Sequence, residues 1–145
     1  MVQKFRERSN GESGFTLVEL LVVMLILGLL AAIAIPSFFN QRDKANDADA
    51  KASVRTAQTA IETYATDNSG EYTGADAGAL EAIEETLVDS PNTVEVVAAN
   101  AEDYQLAVES STGTTFTIER LDTGETNLTC DVASEGGCSA DSDWG

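Results

Sequence analysis

The sequence contains no histidine and only two cysteines among its 145 residues. Without histidine, neither a Ser-His-Asp nor a Cys-His catalytic arrangement can form, and the commonest side-chain ligand of transition metals is missing. Carboxylates are plentiful, but neither a nucleophile–base pair nor a phosphate-cradling glycine loop accompanies them. We therefore predict a protein that is not an enzyme and that requires no metal and no cofactor.

Basic residues are also scarce, since eight Lys and Arg stand against 25 Asp and Glu and give a formal net charge of −17. The imbalance is concentrated in residues 56–145, where 19 acidic residues face one basic residue, Arg120. Residues 1–14 carry a net charge of +1 instead. Contacts with phosphates dominate the affinity of proteins for nucleic acids, so this acidic region argues against direct DNA binding.

One long apolar segment interrupts this polar composition. Residues 15–39 contain a single charged residue, Glu19, and Leu20 to Ile35 is an unbroken apolar run of 16 residues when Gly28 is counted. As a helix, this run is about 24 Å long, and with its flanks it reaches the thickness of a bilayer. A helix that is apolar on all sides lies either inside a protein or in a membrane. Because the rest of the chain is acidic, we predict a membrane-spanning helix.

The helix is predicted to continue to residue 68 as an amphipathic segment. Residues 42–68 lack Gly and Pro, and apolar residues recur there at three- and four-residue spacing: Ala50, Val54, Ala57, Ile61 and Ala65. Pro36 should bend the helix, and Asn68-Ser69-Gly70 supplies a stop signal. The sequence thus predicts one helix of roughly 50 residues, apolar all round in its first half and on one side in its second.

The region after Gly70 is predicted to be a small antiparallel sheet packed on the amphipathic half of the helix. A short helix containing Leu80, Ile83 and Leu87 should end near Asp89. Residues 94–98, 104–110 and 114–121 are predicted strands, with apolar residues alternating in the last two. Residues 111–113 and 122–124 have the composition of turns. The fold class is therefore α+β.

Two cysteines, Cys130 and Cys138, lie eight positions apart near the C-terminal end. An exported protein with two cysteines is expected to pair them in a disulfide. The alternative is a metal site, for which two cysteines without histidine are a poor ligand set.

Three interpretations of the N-terminal third remain open on these grounds. The first is a secretory signal that is cut after Ala34, which would leave a soluble monomeric binding domain beginning at Ile35. The second is a plain membrane anchor. The third is a cut after Gly14, which would place the new α-amino group of Phe15 four residues from Glu19. A carboxylate at the bilayer centre costs on the order of 3 kcal/mol and needs a partner, whereas one at the headgroup boundary does not.

The segment Gly14-Phe15-Thr16-Leu17-Val18-Glu19, followed by the apolar run and Pro36, resembles the prepilin signature of type IV pilins and pseudopilins. The resemblance implies that residues 1–14 are a leader, which a prepilin peptidase removes before it methylates the amine of Phe15. It also implies a pilin-like fold. Residues 15–39 would form the membrane and filament-core half of the helix, residues 40–69 its amphipathic half, and residues 70–145 an acidic head with a disulfide-closed C-terminal segment.

The same resemblance implies how the subunit assembles. Glu19 would neutralise the Phe15 amine of an adjacent copy, while Gly28 and Pro36 would mark the part of the helix that loosens or kinks in filaments. The partners would be membrane lipid, an inner-membrane assembly platform and further copies. The subunit would first lie in the inner membrane and then in an extracellular filament used for adhesion, twitching or DNA uptake. The alternative is a pseudopilin of a type II secretion or competence machine.

Overall fold

The computed structural model describes residues 14–132 and 137–145, so the predicted leader lies outside the described residues except for Gly14. The elements follow in the order α1 (Leu17–Asp67), α2 (Ala77–Ile83), a 3₁₀ turn (Glu85–Leu87), β1 (Val94–Ala99), β2 (Tyr104–Glu109), β3 (Thr115–Arg120) and β4 (Thr126–Cys130). The chain divides into two units, one ending at Phe38 and one running from Phe39 to Gly145.

Helix α1 is continuous over 51 residues and contains Pro36, which confirms the prediction of a single long helix. Proline has no N–H, so one backbone hydrogen bond is missing at this point while the helix continues on both sides. The helix ends where the sequence predicts. Ser69 and Gly70 adopt positive φ angles of 63° and 90°, and the Gly70 N–H donates to the Ala65 carbonyl at 2.7 Å.

Among the described residues, the first unit contains Gly14 to Thr16 and the apolar half of α1 up to Phe38. The large apolar side chains from Phe15 to Phe38 are all exposed, with exposed fractions from 47% to 78%. This part of α1 is long and apolar enough to cross a membrane, with a mean hydropathy of 2.9. Exposure of so much apolar surface in water would be costly, since about 25 cal/mol is lost for each Å² left unburied. The length and composition therefore suit lipid or other apolar helices.

The second unit contains the sheet, whose described strands are antiparallel and ordered β1-β2-β3-β4. The three predicted strands are present, and β4 is an additional strand that the apolar pattern did not predict. Its sequence contains one large apolar residue, Leu128, which is too few to give an alternation signal. The position of β4 is instead determined by its antiparallel pairing with β3. The pairs run from Arg120 opposite Thr126 to Phe116 opposite Cys130.

The predicted short helix is interrupted earlier than expected. It ends at Ile83 and is followed by a separate 3₁₀ turn, where the sequence predicted one helix ending near Asp89. The break lies at Glu84, whose backbone is extended (φ −129°, ψ 94°). The Glu84 carboxylate accepts a hydrogen bond from the Thr86 hydroxyl at 2.8 Å, so this residue caps the next turn rather than continuing the helix.

The core of the second unit forms between the amphipathic half of α1 and one face of the sheet. The predicted stripe is confirmed, because its members are 5% exposed or less: Ala50, Val54, Ala57, Ile61 and Ala65. The predicted alternation in β2 and β3 is also confirmed by residues that are at most 1% exposed: Tyr104, Leu106, Val108, Phe116 and Ile118. The stripe and these strand residues belong to one cluster of buried apolar side chains.

Candidate functional site

The N-terminus of α1 is closed by two side chains. The backbone N–H and the hydroxyl of Thr16 both donate to Glu19 Oε2, at 2.9 and 2.7 Å, and the Glu19 N–H donates to Thr16 Oγ1 at 3.2 Å. This reciprocal pattern is a capping box, which satisfies backbone donors that the first helical turn leaves free. This role of Glu19 was not predicted, although the Thr-x-x-Glu spacing is its signature.

The two oxygens of the Glu19 carboxylate differ in their hydrogen bonds. Oε2 accepts both hydrogen bonds from Thr16, while Oε1 has no hydrogen-bond donor among residues 14–132 and 137–145. The side chain is exposed, so Oε1 can be reached by a cation from another molecule. A carboxylate at a helix N-terminus is also favoured by the helix dipole. Glu19 can therefore cap its own helix and bind one external positive charge simultaneously.

Gly14 and Phe15 precede the helix in irregular backbone. Both residues are exposed, and a Cβ atom added at Gly14 would meet no heavy atom within 4 Å in the part of the chain that the structure describes. No contact within this part of the chain therefore requires glycine at position 14.

Gly28 and Pro36 lie inside the exposed apolar half of α1, away from the capping box. From Glu19 to Pro36 the helix rises by about 25 Å. The structure thus places Glu19, Gly28 and Pro36 along one helix rather than in a single pocket. A Cβ atom at Gly28 would meet no neighbour within 4 Å among the described residues, so no close packing contact there requires glycine.

The disulfide between Cys130 and Cys138 is present, as the sequence predicts. Its Cα atoms are 5.9 Å apart, and both cysteines are buried. It joins the end of β4 to the C-terminal segment. The cysteines are therefore not available as thiolate ligands, which removes the alternative of a metal site at this pair.

A polar cluster that the sequence analysis missed connects α1 to the sheet. Both carboxylate oxygens of Glu62 accept hydrogen bonds from tyrosine hydroxyl groups. Oε2 accepts from Tyr72 at 2.8 Å, and Oε1 accepts from Tyr104 at 3.0 Å. Arg120 lies 3.7 Å from Oε1 and over the ring of Tyr72, with 5.8 Å between its guanidinium carbon and the ring centroid. The cluster links four separate segments. The only basic residue of the acidic region therefore serves the internal packing of this unit.

The two tyrosines of this cluster remain protonated over the physiological range. Burial, followed by the hydrogen bond and charge of Glu62, raises the pKa of Tyr72, and burial is also the main cause that raises the pKa of Tyr104. Because each folded-state pKa is higher than the unfolded value of about 10, the stability linked to these groups is fully present below pH 10. It is lost only as the pH rises above 10 toward the folded-state values.

We expect Glu62→Ala to lower the free energy of unfolding of the second unit by about 2 kcal/mol. The substitution leaves the buried hydroxyl of Tyr104 without an acceptor, which costs about 1–3 kcal/mol, whereas the partly exposed Arg120 contributes less than about 1 kcal/mol. The measurement is urea unfolding of the full chain in detergent micelles, followed by near-ultraviolet circular dichroism. Glu71→Ala is the control, because Glu71 is exposed. Equal midpoints for the two variants would contradict the prediction.

Comparison with known proteins adds to this geometry. A family described as "Prokaryotic N-terminal methylation motif" matches residues 9–35. The type IV wide pilus major component PilA4 of Thermus thermophilus is 35% identical over 111 residues, which cover 77% of this chain and 83% of that protein. The type II secretion system core protein G of Pseudomonas aeruginosa is 40% identical over 57 residues, or 39% of this chain and 40% of that protein.

A third relative has a name from a different system. The competence protein ComGC of Halalkalibacterium halodurans is 35% identical over 66 residues, which cover 46% of this chain and 65% of that protein. The matches with the secretion and competence proteins thus span less than two thirds of those relatives, whereas the match with PilA4 exceeds two thirds of both chains.

Proposed function

The chain belongs to the type IV pilin and pseudopilin family, and from this premise we propose that it is a structural filament subunit without catalytic activity of its own. The observation that carries the proposal is the exposed apolar half of α1, which is as long as a membrane span and begins at the Thr16–Glu19 capping box. The relatives named above are pilus, secretion and competence components, which agrees with a structural role.

Before assembly, the subunit is anchored in the inner membrane by residues 15–39, and afterwards it lies in an extracellular filament. The apolar side chains of this segment are exposed in the single chain and need an apolar environment in both states. Lipid provides this environment first, and the same segments of other copies provide it later. Because both environments are apolar, the transfer does not expose this surface to water.

Processing supplies a positive charge for Glu19, whose Oε1 has no hydrogen-bond donor among residues 14–132 and 137–145. A prepilin peptidase removes residues 1–14 and methylates the amine of Phe15. In the filament core, the free Oε1 of Glu19 then accepts a hydrogen bond from the Phe15 ammonium of an adjacent copy. A charge left unpaired in so apolar a core is strongly destabilising, so this pairing sets the register between neighbouring subunits.

Gly28 and Pro36 allow the helix to change shape on assembly. Glycine in a helix interior costs about 1 kcal/mol relative to alanine, and proline removes a backbone hydrogen bond. The segment between them is therefore the part of α1 that is easiest to loosen or kink when the inner-membrane assembly platform draws subunits into the filament.

The remaining residues form the outer part of the subunit. In this proposal, residues 40–69 are the amphipathic half of the helix and residues 70–145 are the acidic head, closed by the Cys130–Cys138 disulfide. The predominance of carboxylates in the head gives the filament a negative surface. Direct DNA binding along its length is therefore not expected at physiological salt concentrations. A role in DNA uptake would therefore require further components for contact with DNA.

Of the two filament types, we favour the pilus. The PilA4 match includes 77% of this chain, compared with 39% for the secretion protein. The alternative, a secretion or competence pseudopilin, is favoured by the higher identity to core protein G within the shorter match.

The two filament types are distinguished by mechanical shearing of cells, followed by immunoblotting of the sheared and membrane fractions. We expect most of the protein in the sheared fraction, because a pilus extends from the cell surface. A soluble periplasmic protein, released by osmotic shock and absent from the sheared fraction, controls for cell lysis. Recovery of the processed subunit from the membrane fraction alone would contradict the pilus proposal and favour the pseudopilin.

A further inference from the structure

Asp47 is a buried carboxylate that the proposed function does not use. It lies on α1 in the second unit, and its side chain is 0% exposed. Oδ1 accepts a hydrogen bond from the hydroxyl of Thr112 at 2.6 Å, and Oδ2 accepts one from the N–H of Gly137 at 2.9 Å. Thr112 lies between β2 and β3, and Gly137 immediately precedes Cys138. One carboxylate thus joins the helix to two distant segments of the chain.

Lys51 lies one turn further along α1 and contacts the same glycine at its carbonyl group. Its ammonium group donates to the carbonyl of Gly137. The ammonium also lies over two aromatic rings, 5.2 Å from the centroid of Phe116 and 5.5 Å from that of Trp144. Side chains at positions i and i+4 of a helix lie on the same face, so Asp47 and Lys51 can bind the two polar groups of one residue.

The fit around Gly137 is close. A Cβ atom at this position would lie 3.1 Å from Cε and Nζ of Lys51 and 3.3 Å from Cβ of Asp47. A side chain at this position would require these neighbours to shift by a few tenths of an ångström. Side chains of the helix therefore bind both the backbone N–H and the carbonyl of Gly137.

We propose that Asp47, Lys51 and Thr112 form a clamp that docks Gly137 and Cys138 on α1 and thereby keeps the Cys130–Cys138 disulfide inaccessible to reductants. The disulfide attaches the C-terminal segment covalently to β4, and the clamp attaches it non-covalently to the helix. Both cysteines are buried, so a reductant reaches the sulfur atoms only after this segment opens. The proposal concerns the second unit and does not depend on the type of filament.

Loss of one charge-assisted hydrogen bond from the clamp should raise the equilibrium constant for local opening about tenfold. We therefore expect Lys51→Met and Asp47→Asn to accelerate reduction of the disulfide about tenfold. The full chain is incubated in detergent micelles with dithiothreitol and without denaturant. Samples are quenched with a maleimide reagent, and the labelled fraction is measured by mass spectrometry at increasing times.

Matched controls come from the same helix. Lys44 and Asp49 are both exposed, so Lys44→Met and Asp49→Asn change the same chemical groups outside the clamp. Both controls should be reduced at the wild-type rate. Glu62→Ala destabilises the unit at a different point, and it should also keep the wild-type rate if the disulfide is exposed by local opening rather than by global unfolding.

Two results would overturn the proposal. The first is equal reduction rates for Lys51→Met and Lys44→Met, which would show that the clamp does not limit access. The second is an equal acceleration by Glu62→Ala, which would show that access requires unfolding of the whole unit. If Asp47→Asn does not fold, the reduction rates of Lys51→Met and Lys44→Met are sufficient to test the proposal.

Discussion

Replacing Glu19 with alanine is expected to leave cleavage after Gly14 intact and to reduce the yield of filaments at least tenfold. The variant loses the acceptor for the Phe15 ammonium of the neighbouring subunit, so this charge would be buried without a partner. Such a loss costs about 3–5 kcal/mol at each site, which far exceeds the 1.4 kcal/mol that corresponds to a factor of ten. The measurement is quantification of the sheared subunit relative to the processed subunit in membranes.

The glutamine variant separates the two roles of Glu19. Because glutamine also closes a capping box with threonine, Glu19→Gln keeps an acceptor for the Thr16 donors but removes the negative charge. If pairing with the amine is essential, both variants fail to assemble. Wild-type filament yield from Glu19→Gln would contradict the pairing and would assign the effect of Glu19→Ala to the loss of the helix cap, which is worth only about 1 kcal/mol.

Replacing Gly14 with valine is expected to block processing and to leave the uncut precursor in the membrane. No heavy atom of the described residues lies within 4 Å of a Cβ at this position, so the substitution should not disturb that part of the chain. The branched side chain would instead crowd the scissile bond in the peptidase. The measurement is the ratio of precursor to mature subunit, determined by immunoblotting after expression with the peptidase.

Gly28→Ala is the control for this prediction. It replaces another glycine around which a Cβ has free space, but one that lies within the helix and away from the junction. Its precursor should be processed at the wild-type ratio. Normal processing of Gly14→Val would contradict cleavage at this junction.

Much of the fold could be predicted because it depends on local periodicity. The stripe from Ala50 to Ala65 has helical spacing, and the alternation in β2 and β3 has the period of a strand, so each pattern identifies the buried face directly. Strand β4 lacks this information. Its position depends on pairing with β3 and on the disulfide at Cys130, and neither leaves a periodic signal in the sequence.

The candidate site could be predicted to the extent that it is local. The junction at Gly14 and Phe15 and the acidic residue Glu19 lie within six consecutive residues, and the capping box could have been predicted from the same segment. The clamp could not, because Asp47 is 65 residues from Thr112 and 90 from Gly137. Only the folded chain brings these residues together. The same holds for Glu62 and Tyr104, which are 42 residues apart.

The most direct test of the account is intact-mass spectrometry of the natively expressed subunit, with fragmentation from the N-terminus. We predict a chain that begins at Phe15 and carries one methyl group on its α-amine, with Cys130 and Cys138 oxidised. An uncut chain beginning at Met1 would contradict the prepilin processing that the account requires. A chain beginning at Ile35 would contradict it more severely, because the capping box and the apolar half of α1 would be absent from the mature protein.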